Sequence, residues 1–340
     1  MTGDEHVRLA VEAGLRYVGP EAAGFRRVRR GRGFSYVDGD GAAANGRTRE
    51  RIEGLAIPPA WEDVWIARDP MGHILATGHD QAGRKQYIYH PLWEQSRDEA
   101  KFDRLGSFGR GLPGLRSRID ADLRKRDLPR EKVIALAIAV LDRTLVRVGN
   151  RRYATDNDSH GLTTLTCEHM EVDGLHVHLE FAGKGGAEQQ LVFKDRRLAR
   201  LMSRCQELAG QTLFSYETPA GSTASVSSSD VNEYLSGTLG GPFTAKDFRT
   251  WGASSLVLGE LVRSADEDPE ERVRSAIDAA AERLGNTRAV CRDSYVHPLV
   301  VESPDNGVLE TAWRKSRSGK WANREESALR KLLESEGDVR

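Results

Sequence analysis

Five residues of this 340-residue chain, Tyr295, Arg147, Arg249, Lys184 and Asn286, have types that share one chemistry. A phenolic oxygen attacking a phosphodiester builds negative charge on the non-bridging oxygens, and two guanidiniums with an amide donor neutralise it. The departing sugar oxygen needs a proton, which an ammonium on a mobile tip can give. A phenol, with an ordinary pKa near about 10, needs positive surroundings to become a competent nucleophile. The covalent phosphotyrosine keeps the energy of the broken bond, so resealing calls for neither ATP nor a metal, and no motif for either is evident. Taken singly, each residue also has a plainer reading. Tyr295, in GNTRAVCRDSYVHP, fits as a plug between helices, Arg147 as half of an internal ion pair, and Lys184 as a solubility charge.

The elements around these residues decide whether they can meet. Arg147 ends the strongest helical stretch, PREKVIALAIAVLDRTLVRVGN, which has Pro129 near its start and Gly149 past its end. That stretch is apolar nearly all round and belongs in a core, where an unpaired guanidinium is prohibitive. Three β-like runs follow, LTTLTCEHMEV, LHVHLEF and QQLVFK, and predict a three-stranded antiparallel sheet. The first two meet at Asp173-Gly174; the last two meet at residues 182–186, which puts Lys184 on a glycine-rich hairpin tip. Thr244 caps a helix that carries Arg249 in its early turns. Asp268-Pro269 opens an acidic helix closed by Gly285, just before Asn286, and the tail from Asn306 reads as two short charged helices.

The first ninety residues are different in kind. GFSYV, VWIAR, HILAT and QYIYH are short strand-like runs cut by turn residues. The fold class is α+β: a small β-rich domain over residues 1–91, and a larger, mostly helical domain with the three-stranded sheet over residues 92–340. On QYIYH, Gln86, Tyr87 and Tyr89 stand beside Arg84 and Lys85, a mixture suited to a strand pressed into a duplex groove. The alternative is two tyrosines in a β core, since alternate strand residues share a face.

Composition narrows the partners. With 39% hydrophobic and 30% charged residues, and no apolar run near the length of a membrane span, a membrane protein is excluded. The start, MTGDEHVRLA, lacks the apolar core of a secretory signal. Cys167, Cys205 and Cys291 are scattered without paired spacing, which argues against disulfides and zinc and for a cytoplasmic setting. The net charge of −1 hides a polarity: RRVRRGR holds five arginines in seven positions, residues 101–152 hold fourteen Lys or Arg against six acids, and residues 260–283 hold eight acids against four arginines. Such a chain can press a positive face on a polyanion. DNDSHG, at 156–161, lacks the glutamate of a calcium loop, GKGG lacks Walker spacing, and His176 and His178 read as ordinary strand residues.

The chain resembles the type IB DNA topoisomerases, in the compact poxvirus-like form found also in bacteria. The likeness rests on VRVGNRRYA, GLTTL, FAGKGG, KDFRTWGA and the spacing from Asn286 to SYVHP; IPPAW, GHDQAGRKQYIYH and KFDRL extend it over nearly the whole chain. It implies that Tyr295 takes the 3′ phosphate, that Arg147 and Arg249 clamp the scissile phosphate, and that Lys184 protonates the 5′ oxygen. Asn286 stands where the family often has histidine, and an amide donates a hydrogen bond without carrying charge. Arg84, Lys85, Gln86, Tyr87 and Tyr89 would lie in the major groove, with Tyr153 and its neighbours Asn150 and Arg152 on DNA near the cleavage site. The implied whole is a monomeric clamp around double-stranded DNA, without cofactor, metal or membrane, acting at the nucleoid. A tyrosine site-specific recombinase shares this chemistry, but such proteins usually carry a helical domain where residues 25–90 here look β-like. A non-catalytic DNA-binding relative is the other alternative.

Overall fold

In a computed structural model, residues 3–151, 154, 155, 158–208, 210–302 and 307–337 are described. Two of the sequence-derived DNA contacts, Arg152 and Tyr153, and part of DNDSHG lie outside them. The chain divides into two compact units, up to Asp103 and from Arg104 onward. Residue 92, where the sequence changes character, lies at the start of the Pro91–Asp103 helix. Trp93 on that helix is buried with Ala10 and Leu15, which holds the helix to the first unit.

The first unit is built on a five-stranded antiparallel sheet: β1 (Gly24–Arg30), β2 (Gly33–Val37), β3 (Glu62–Ala67), β4 (Ile74–His79) and β5 (Lys85–Tyr89), in the order β2-β1-β3-β4-β5. One face packs Phe25, Ile66 and Ala76 against Ile52 of the Gly46–Gly54 helix. The arginine run thus forms a strand, which its lack of apolar alternation concealed. Arg27 explains how a cation fits: its guanidinium lies 4.2 Å from the Phe34 ring centroid and donates to the Pro58 carbonyl at 3.0 Å. The row Arg26, Trp65, Thr77 and Tyr87 runs across β1, β3, β4 and β5 on the other face.

In the second unit, the Leu105–Asp122, Arg130–Thr144 and Ala245–Arg263 helices bury Phe108, Leu136 and Phe248 in one core. Beside them β6 (Met170–Asp173), β7 (His176–Ala182) and β8 (Glu188–Lys194) form an antiparallel sheet in sequence order. His176 and His178 are exposed on β7. The run LTTLTCEHMEV contains less strand than its pattern predicts, since Leu162–Thr164 and Cys167–His169 are 3₁₀ turns. Leu162 and Thr163 N–H groups donate to the Arg147 and Val148 carbonyls, at 2.9 and 2.8 Å, instead of to a sheet neighbour. The Thr244 cap and the Asp268 and Gly285 helix limits stand where the sequence puts them. The serine-rich stretch contributes a short strand, Thr223–Ser225, and Ser227, which caps the next helix.

Candidate active site

The helix before Arg147 stops sooner than its sequence pattern predicts. Its last residue is Thr144, and Leu145 adopts the left-handed conformation at φ 58°, an uncommon choice for a branched side chain. Two things compensate. The Leu145 N–H still donates to Leu141 at 2.7 Å, and its side chain fills the space above Gly252, where a Cβ would come within 2.4 Å of it. Arg147 therefore stands on a non-helical segment and not on a helix end. That segment is pressed against GLTTL: a Cβ on Gly161 would meet the Gly149 backbone at 2.6 Å, so both glycines are required by close backbone approach.

Arg147 pairs with no carboxylate among the described residues, so the internal ion pair is not what holds it. Its guanidinium donates to Oδ1 of Asn286. Because arginine only donates, the oxygen of that amide must face it, which leaves Nδ2 as a donor. Nδ2 is buried and has no partner among the described residues. Asn286 itself is set by the left-handed Gly285 and by its N–H donating to Ala281 at 2.9 Å.

Arg249 is only 3% exposed. Its terminal nitrogens donate to the carbonyls of Leu145 and Leu284, the second at 2.9 Å, so it ties together the turns preceding Arg147 and Asn286. Its Nε completes no well-formed hydrogen bond among the described residues. The guanidinium carbon lies 4.9 Å from the Tyr295 ring centroid. Burial pushes the Tyr295 phenol up, but Arg249, Arg147 and Lys246 together outweigh it and hold the phenol below its ordinary pKa. Cys291, on the same short Arg288–Tyr295 helix, is pushed up to about 11 by burial, which keeps this thiol protonated beside the nucleophile candidate.

Two contributors were missed in the sequence. Lys246 lies one turn before Arg249 on the same helix, and its spacing was the available signal. Ser254 is fully buried; its Oγ donates to the Tyr295 carbonyl at 3.2 Å and accepts from the His297 N–H at 2.9 Å. A buried serine in an apolar helix needs partners, and these buckle the chain on both sides of Val296.

Tyr295, Arg249, Arg147 and Asn286 are thus brought together. Lys184 is exposed at the tip between β7 and β8, and its side chain makes no hydrogen bond or ion pair with a described residue. Its loop is nonetheless close: the Gln189 side chain sits 2.8 Å from a Cβ position on Gly183 and 2.7 Å from one on Gly285. Left-handed Gly185 and Gly186 shape the tip.

In the first unit, Asp80 accepts from Arg84 Nε and from Gln86 Nε2, both at 2.8 Å, so these two groove candidates are joined through one carboxylate. The Arg84 hydrogen bond holds Asp80 down at about 2. Tyr87 is 41% exposed, whereas Tyr89 packs partly against the clusters around Trp93 and Trp65. Asn150 is exposed.

Residues 90–317 match the family described as eukaryotic DNA topoisomerase I, catalytic core, and residues 33–80 match bacterial DNA topoisomerase IB, N-terminal domain. The DNA topoisomerase 1B of Acanthamoeba polyphaga mimivirus is 32% identical over 268 residues, covering 76% of this chain and 80% of that protein. The DNA topoisomerase 1B of vaccinia virus (strain Copenhagen) is 25% identical over 267 residues, covering 74% and 81%. No helix among the described residues is long and apolar enough to cross a membrane. With one family covering most of the second unit, another the β2, β3 and β4 strands of the first, and a viral relative matched along most of both chains, this chain belongs to the type IB DNA topoisomerases.

Proposed function

We propose that this topoisomerase relaxes supercoiled double-stranded DNA by opening one strand through a 3′-phosphotyrosyl bond to Tyr295, letting the free end rotate, and resealing it. The Tyr295 phenol loses its proton to water, the phenolate oxygen attacks the phosphorus, a P–O bond to it forms, and the bond to the 5′ oxygen breaks. Arg147, Arg249 and the Asn286 amide meet the charge on the non-bridging oxygens, and Lys184 delivers a proton to the 5′ oxygen. Resealing runs the same steps backwards. One ester replaces another, so the cycle needs no ATP, and the guanidiniums take the charge a metal would otherwise carry. The observation that carries this reading is a pair of buried donors, Arg249 Nε and Asn286 Nδ2, that complete no well-formed hydrogen bond among the described residues, in a group that also holds the Tyr295 phenol below its ordinary pKa.

The same reading assigns residues 1–91 to DNA binding through Lys85, Tyr87 and the Arg84–Asp80–Gln86 group, with Asn150, Arg152 and Tyr153 near the cut, and residues 92–340 to cleavage. The two parts act on the duplex as a monomeric clamp, at the nucleoid. The test is plasmid relaxation in EDTA without ATP, on DNA with no defined site. We expect full relaxation, a covalent adduct trapped by denaturant, and loss of both in Tyr295→Phe with duplex binding retained. An adduct that survives Tyr295→Phe, or a requirement for a specific site, would overturn it.

A further inference from the structure

The amino-terminal unit holds a cavity of about 420 Å³ that the cleavage chemistry does not use. It lies between the Tyr17–Glu21 segment, β5 and the Pro91–Asp103 helix, within one unit. Tyr17, His73, Trp93 and Tyr87 form its walls, and Lys85 and Arg97 also line it. Its size is within the range, roughly 300–1,000 Å³, of pockets that enclose small organic ligands.

The walls are rigid where they are deep and open where they are shallow. His73 is 3% exposed, accepts from the Val18 N–H at 3.0 Å through Nδ1, and has Trp93 edge-on at 4.9 Å. Tyr17 stacks on His73 at 4.1 Å with an interplanar angle of 11°, yet remains 46% exposed. Tyr87 and Tyr89 stand nearly parallel, 5.6 Å apart. The Lys85 ammonium is 5.7 Å from the Tyr87 ring and the Arg97 guanidinium 5.6 Å from the Tyr89 ring.

This combination selects among ligands. A bare phosphate would leave the aromatic faces unused, and an aliphatic ligand would leave two cations without a counterion. A quaternary ammonium suits aromatic walls but is repelled by Lys85 and Arg97. A flat heteroaromatic ring carrying an anion uses everything: the ring stacks on exposed tyrosine faces, the anion meets the two cations, and Glu21 at the lining can accept from an exocyclic amine. We infer that this cavity binds a nucleotide, and that its source is a base displaced from the DNA strand that passes β5. The inference rests on the proposed reading of Tyr87 as a duplex contact, because that contact brings the strand to the cavity mouth.

The test compares duplexes that are identical except that one carries a single unpaired 2-aminopurine nucleotide, with binding to the full chain followed by fluorescence at fixed salt. Stacking on one aromatic surface is expected to make the unpaired duplex bind about tenfold tighter and to quench the 2-aminopurine. Tyr17→Phe should keep that preference, while Tyr17→Leu and Arg97→Ala should lose it, all three with plasmid relaxation unchanged. Equal binding of the two duplexes by the unmutated chain overturns the inference, and so does a preference that survives Tyr17→Leu. Free AMP that binds with the same dependence on Tyr17, while the two duplexes bind alike, would keep the nucleotide and reject the strand as its source. Loss of relaxation in Tyr295→Phe is read separately, so failure of the cleavage assignment is not mistaken for failure of this one.

Discussion

The two cations that matter most to the proposed chemistry are held in opposite ways. Arg249 is buried on a long helix, with two of its nitrogens fastened to the carbonyls of Leu145 and Leu284. Lys184 is exposed on a tip shaped by left-handed glycines and has no described partner. A group that stabilises charge on a phosphate gains most when it is already in place and costs no reorganisation. A group that hands over a proton must approach only when the leaving oxygen is there. The contrast is therefore between a fixed donor and a moving one.

Arg249→Ala should break the fixed side most severely. We expect single-turnover cleavage to fall about 10²–10³-fold or more, as for loss of one oxyanion donor, and the melting temperature to drop because two carbonyls lose their donor. Arg249→Lys should not restore the rate, since one ammonium cannot replace a planar fork; full activity in Arg249→Lys would reduce the residue to a point charge. Lys184→Ala should slow cleavage by about 10²-fold, the low end for a general acid, with melting unchanged. DNA whose 5′ leaving group needs no proton should return the rate, and absence of that rescue would remove Lys184 from the acid role.

Ser254 sharpens the comparison, because it lies on the Arg249 helix and grips the backbone of Tyr295, the proposed nucleophile. Ser254→Ala leaves the Tyr295 carbonyl and the His297 N–H without this partner, and should cost about 1–3 kcal/mol of stability. Cleavage should fall more than duplex binding, and an unchanged cleavage rate would show that Tyr295 does not depend on this buckle. The smallest effect is expected from exposed Lys246. It is one of three cations that offset the burial pushing the Tyr295 phenol up, so Lys246→Ala should move the rising limb of the cleavage pH profile to higher pH. A profile that stays in place would exclude Lys246 from the group acting on the phenol.

Much of the site was legible because local rules carry it. Glycine flanks mark the Lys184 tip, the Thr244 cap starts the Arg249 helix, and Gly285 ends a helix directly before Asn286. The Arg147 turn was not legible. It depends on Leu145 accepting a left-handed conformation that only Gly252, more than a hundred residues later in the chain, makes room for. Strand β1 escaped for a related reason, since Arg27 is accommodated by Phe34 and the carbonyl of Pro58 and not by any pattern of its own.

The order of the amino acids thus determined which groups this protein has for phosphodiester chemistry, and which turns and helix ends carry them, because caps, glycine turns and periodicity act over a few residues. Tertiary packing alone decided that Arg249 would span the Leu145 and Leu284 turns, that Asn286 would turn its oxygen to Arg147, and that Ser254 would hold the backbone of Tyr295. Each of these is a hydrogen bond closed between segments far apart in the chain, and its worth comes from burial that no single segment can provide.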